Sequence, residues 1–180
     1  MVMVEGEDMD QQAKQERLQG RLEPEIKQFR QERKTLLIAT VDAQGHPNAS
    51  YAPFVQNQEG YFVLISQLAL HARNLEANPH VSIMMVEDES EAQQLFARKR
   101  LTFHALANVV ERDSELWCQV IAQMEARFGE IINGLSQLQD FILFRFKPEQ
   151  GLFVKGFGQA YRVSGDDLVD VIHLQKGHRK

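Results

Sequence analysis

Few side chains in this 180-residue sequence can do acid–base, nucleophilic or metal chemistry: one cysteine, six histidines and a scatter of acids and bases. With Cys118 alone, no intrachain disulfide and no cysteine-rich metal site can form. Its neighbours Trp117 and Val120 place it on an apolar helix face, which reads as buried packing rather than thiol chemistry. The sequence has no glycine-rich phosphate loop, nucleophile elbow, His-Glu-x-x-His helix or Cys-x-x-Cys pair. The usual nucleotide-dependent and hydrolytic machinery is therefore missing.

His46 in a turn and His80 after a proline read as solvated, and His104 and His173 as hydrogen-bonded residues of structured segments. His71 is different. It opens a helix carrying Arg73 and Asn74, just after a strand ending at Ser66. Helix amides, a guanidinium and a hydroxyl so placed can hold a phosphate or carboxylate, and an ordinary polar helix start gives the same pattern. His178 lies in Gly177-His-Arg-Lys180, beside Lys176. That composition fits a frayed, solvated tail or an arm that closes over an anion. Arg98-Lys-Arg100 reads as a charged, solvated strand edge, and Asp140, before Phe141, as a strand-leading turn residue.

The elements that must position these groups follow from periodicity. From Gln11 to Lys34, Leu18, Leu22, Ile26 and Phe29 recur every three or four residues, an amphipathic helix that Gly20 and Pro24 should break or restart. Thr35–Val41, Asn48–Gln56 and Tyr61–Ile65 are strands joined by turns at Asp42–Pro47 and Asn57–Gly60, an antiparallel meander with Pro53 at an edge or bulge. A helix over Leu70–Asn78 stops at Pro79, and His80–Val86 resumes the strand. The acids Glu87–Glu91 should open a short helix. A strand runs from Arg100 to Arg112 with partial alternation, so both faces should be covered. Asp113 is the expected N-cap and Gly129 the expected stop of a helix over Ser114–Phe128. Phe141–Phe146, Leu152–Gly156 and Gln159–Val163 are further strands, and Ser164-Gly-Asp-Asp167 should cap a last helix. Many short strands with peripheral helices point to an α+β domain on an antiparallel barrel.

Composition limits the partners. The formal charge is −5 and the pI about 5.7, against a dedicated nucleic-acid binder. No apolar run approaches the roughly 20 residues that span a bilayer, and the acidic N-terminus has no signal-peptide core. A cytoplasmic location is expected. The charge is uneven: Glu5, Glu7, Asp8 and Asp10, with Glu87, Asp88, Glu89 and Glu91, hold eight acids, without which the rest is +3.

Together these segments resemble the split β-barrel superfamily of pyridoxamine 5′-phosphate oxidase. Leu36–Asp42 with Gly45-x-Pro47, Ser50–Phe54, His71–Leu75 with Asn78-Pro79, and Arg100–Phe103 carry the likeness. Val110–Asp113, Asp140-Phe141, Gly151–Gly158 and Gly177-His178 narrow it to the haem-utilisation, haem-degrading branch, over roughly residues 11–180.

This resemblance implies an FMN-binding split-barrel fold and a homodimer with haem near its interface. It implies His178 as the axial iron ligand, Asp140 of the partner subunit as hydrogen-bond acceptor for its ring, and Arg100 as a basic residue of the haem site. His71 is the reserve haem-binding residue. The expected domains are an acidic extension 1–10, a helical arm 11–34, a barrel 35–163 with inserted helices, and a C-terminal helix with haem-ligating tail 164–180. Haem would be both substrate and cofactor, with O2 and an external electron donor, and a haem-delivery protein as a further partner. FMN is the alternative cofactor, and flavin-dependent oxidoreductase or non-catalytic haem store the alternative functions. Against flavin, Arg98-Lys-Arg100 does not reproduce the oxidases' Arg-Gln-Val-Arg pattern, although Ser66 and Arg73 fall near their phosphate-holding positions.

Overall fold

Alternation decides which face of each strand is covered. In Thr35–Val41 (β1), Leu36, Ile38 and Thr40 are buried while Thr35, Leu37 and Ala39 are exposed, the two-residue period of a strand with one wet face. The computed structural model describes residues 4–165 and 169–170. After a helix Val4–Glu32 (α1) and β1 come strands Pro47–Pro53 (β2), Val55–Asn57 (β3) and Gly60–Ser66 (β4), helix Leu70–Ala77 (α2), and strands His80–Val86 (β5) and Arg100–Val109 (β6). Helices Glu115–Phe128 (α3) and Ile131–Gln137 (α4) follow, then strands Phe141–Gly156 (β7), Gln159–Ser164 (β8) and Val169–Asp170 (β9). The chain folds as two compact units, each assembled from separate segments.

One unit comprises Lys34–Met85 and Thr102–Glu149. Its strands lie in the order β2-β1-β5-β6-β7-β4-β3. The pairs β1–β2, β1–β5, β3–β4 and β4–β7 are antiparallel. Pro53 lies on the edge strand β2, as its missing N–H requires. In β6 the alternation is regular: Phe103, Ala105 and Ala107 are buried, His104 and Asn108 exposed. Only one face is covered, not both as expected. Strand β4 is buried from Gly60 to Ile65. Phe62 and Leu64 pack with Val120, Ile121 and Met124 of α3 and Ile132 of α4. Tyr61 packs with Phe54 and Phe103, both at 5.8 Å. Gly60 is required there, because its φ is +133° and a Cβ would meet the Phe146 carbonyl oxygen at 2.5 Å.

The cap of α3 is Ser114, whose hydroxyl accepts from the Trp117 N–H at 3.2 Å. Asp113 takes a left-handed φ of 64° instead of the expected capping role. Gly129, at φ 84°, ends the helix as foreseen. Cys118 is exposed on α3 rather than buried, since the core-facing positions are Val120, Ile121 and Met124. Helix α4 has no counterpart among the expected elements.

The other unit takes in the described parts of Met1–Arg33, Val86–Leu101 and Gln150–Lys180. Helix α1 continues through Pro24 rather than breaking there. The buried stripe Leu22, Ile26 and Phe29 outweighs the proline, and Phe29 meets Phe153 at 6.0 Å. Glu25 lies between Lys99, at 3.2 Å, and Lys155, at 2.5 Å. Burial alone would raise its carboxyl, but hydrogen bonds and charge from the two lysines hold it below the usual range. The residues of β7 from Gln150 on pair with β8, which pairs with β9. One strand, β7, thus replaces two expected ones. Val169–Asp170 form a strand where a helix was expected; residues 166–168 and 171–180 lie outside the described ones.

Glu87–Glu91 form no helix. Asp88 accepts from the Ser90 N–H and hydroxyl, the Glu87 carbonyl accepts from the Arg98 guanidinium, and Glu91 pairs with Arg33 at 2.9 Å. Local side-chain bonds of this kind compete with helix formation.

Candidate functional site

Two loops meet at Asp140. Ser66, the last residue of β4, is paired with Phe141, the first of β7, so the residue after one and the residue before the other lie side by side. The Gln67 N–H donates to the Asp140 carbonyl at 2.7 Å. The Ser66 hydroxyl donates to Asp140 Oδ2, also at 2.7 Å, and accepts from the Leu68 N–H at 3.2 Å. Asp140 therefore leads its strand, as the sequence reading has it, and is also held by a hydroxyl 74 residues away.

Arg112 fixes the same loop from behind. Its guanidinium donates to the carbonyls of Ser136, Leu138 (2.9 Å) and Phe141 (2.7 Å) and lies over the Trp117 ring at 5.5 Å. A planar five-donor fork suits three converging carbonyls in a way a lysine does not. Arg112 belongs to a segment that carried the resemblance, but sequence reasoning gave it no role. Only the fold brings the end of α4 to it.

Exposed leucines follow Ser66 and precede Asp140 in the chain: Leu68 at 78%, Leu70 at 48% and Leu138 at 47%. Apolar side chains left in water beside an ordered acid suit the flat apolar face of a ligand with one polar contact.

His71, in the first turn of α2, is half-buried. Its Nε2 has no hydrogen-bond partner among the described residues, and burial holds its pKa below the ordinary histidine value. The anion cradle read around it is not assembled. Asn74 turns inward and donates to Thr40 at 3.0 Å, and the Ser66 hydrogen goes to Asp140. Arg73 alone stays exposed. With its one hydrogen donated to Asp140, the Ser66 hydroxyl has none left to donate to a flavin phosphate.

Arg100 belongs to the other unit, at the start of β6. Arg98 there binds Glu89 and the Glu87 carbonyl, and Lys99 binds Glu25. The partly buried Arg100 donates to the Arg98 carbonyl at 3.4 Å and faces no carboxylate among the described residues. The basic triplet is thus largely compensated, with Arg100 the member left for an anion. His178 lies outside the described residues, as does His173. Among the described residues, no three His, Cys, Asp or Glu side chains cluster to hold a metal ion, and no helix is long and apolar enough to cross a membrane.

A family model described as Pyridoxamine 5′-phosphate oxidase matches residues 22–155. Heme oxygenase HutZ of Vibrio cholerae serotype O1 is 83% identical over 172 residues, 96% of this chain and 98% of that protein. The crystal structure of Vibrio cholerae HutZ, described as a heme storage protein, superimposes with a TM-score of 0.72 at 83% identity, covering 75% of this chain and 95% of that one. The crystal structure of Campylobacter jejuni ChuZ gives a TM-score of 0.81 at 34% identity, over 89% of this chain and 66% of that one.

Proposed function

The chain belongs to the pyridoxamine 5′-phosphate oxidase family, and from that premise we propose that it is a haem-degrading enzyme. It binds haem and opens the porphyrin ring with O2 and an external reductant, releasing iron. Its fold is the α+β antiparallel split-barrel type. The observation that carries the function is the identity with a protein named heme oxygenase along nearly the whole chain.

Haem supplies its own iron for oxygen activation and is itself consumed. The protein's part is to bind, orient and exclude. The exposed Leu68, Leu70 and Leu138 offer apolar surface to the ring. His178 would hold the haem iron, and Asp140 of the partner subunit would accept its ring N–H, which would fix the tautomer and make the imidazole a stronger donor. No nucleophilic side chain is called for, in keeping with the missing motifs. The working form is a cytoplasmic homodimer supplied by an external electron donor and a haem-delivery protein. In support of the dimer, β1 and β2 expose a face without charge, including Leu37 and Tyr51.

Haem titration followed by ascorbate in air tests the reading. A Soret band should form and then decay as the ring opens. His178→Ala should lose the histidine-ligated spectrum and most of the turnover; an unchanged spectrum would transfer the ligand role to His71. The second reading, a haem store, is favoured by the description of the HutZ crystal structure and predicts a Soret band that persists under ascorbate.

A further inference from the structure

We infer that Ser66 is a positioning residue for the Asp140 carboxylate, holding Oδ2 so that Oδ1 is the oxygen presented to the ligand imidazole. The inference rests on the reading that Asp140 serves that imidazole, and adds the residue that aims it.

A serine hydroxyl has one hydrogen and two lone pairs. Here the Leu68 N–H occupies an acceptor position on Oγ at 3.2 Å, which leaves the hydrogen to point at Asp140 Oδ2, 2.7 Å away. That distance is typical of a hydroxyl donating to a charged carboxylate.

The backbone around the pair is fixed independently. The Gln67 N–H holds the Asp140 carbonyl, and Arg112 holds the carbonyls of Leu138 and Phe141 on either side. With the main chain clamped, the freedom left to Asp140 is rotation of its side chain. Ser66 removes it. Among the described residues no hydrogen bond reaches Oδ1, so the pinned carboxylate keeps one oxygen for a donor from outside. Without the hydroxyl, the Leu68 N–H also loses its acceptor.

The test compares full-length Ser66→Ala, Ser66→Thr and Asp140→Asn as ferrous-haem complexes by resonance Raman, reading the iron–histidine stretch, with haem affinity from Soret titration. If Ser66 orients Asp140, Ser66→Ala shifts the stretch toward the Asp140→Asn frequency and slows ring opening by about tenfold. Haem affinity stays within about threefold of wild type, and Ser66→Thr restores the wild-type band. A stretch that stays in place in Ser66→Ala, or moves away from the Asp140→Asn value, overturns the inference while leaving the role of Asp140 intact. A stretch unmoved by Asp140→Asn removes the reading on which the inference rests, and the inference with it.

Discussion

Burial holds the His71 imidazole below its ordinary range, and no described residue bonds its Nε2. The unfolded ring takes up a proton near pH 6.5 and the folded one only at lower pH, so in that window the unfolded state binds more protons. The stabilisation is complete above pH 6.5 and is lost as pH falls toward the folded value. The urea midpoint should therefore drop more between about pH 7.5 and about pH 5.5 in wild type than in His71→Gln. Parallel acid slopes would show that the ring does not contribute. Residue types were legible in the sequence, but their partners were not. Asp140 was marked as a candidate, whereas its hydrogen bond to Ser66 spans 74 positions and exists only because β4 and β7 pair in one register. Cys118 was misread because a helix face was inferred from adjacent apolar residues, and the buried stripe begins two positions further on, at Val120.

Local elements were legible where one period dominates, as in β1, α2 and α3, and failed where tertiary contacts overrode local preference. Pro24 is the clearest case. In a helix interior it removes a hydrogen bond to the carbonyl four residues back, that of Gly20, and costs about 3 kcal/mol relative to alanine. Yet α1 continues, because Leu22, Ile26 and Phe29 are buried on either side and Glu25 is gripped by Lys99 and Lys155. Composition shows the proline and the stripe, but not the residues the stripe packs against. Pro24→Ala should therefore stabilise the protein by about 1–3 kcal/mol, raising the thermal midpoint and slowing amide exchange from Gly20 to Ile26. No change in exchange would mean that the helix already bypasses the lost bond without penalty. The acids at Glu87–Glu91 failed the other way: a helix-start composition was taken up by a turn bonded to Ser90, Arg98 and Arg33.

For the whole molecule, the net charge of −5 says less than where the charge is absent. The outward rows of β1 and β2 are Thr35, Leu37, Ala39 and Val41 against Pro47, Ala49, Tyr51 and Pro53, with Leu37 opposite Tyr51 and Ala39 opposite Ala49. Met84 of β5 stands beside Leu37. Leu37 is 41% exposed and Tyr51 66%. A sheet face with no charged side chain, small residues at its centre and a tyrosine at its rim suits close approach of another sheet. A second copy of the chain, presenting the same face, is the occupant the proposed homodimer requires. Placing acids at Leu37 and Tyr51 sets like charges against their symmetry mates across such an interface. Leu37→Glu with Tyr51→Glu should therefore give a folded monomer by sedimentation equilibrium where wild type is a dimer. Because His178 and Asp140 are proposed to meet from different copies, the monomer should also open haem at least about tenfold more slowly. A dimer that survives both substitutions would move the interface to another face, whereas a monomer with wild-type turnover would place the working site within one chain.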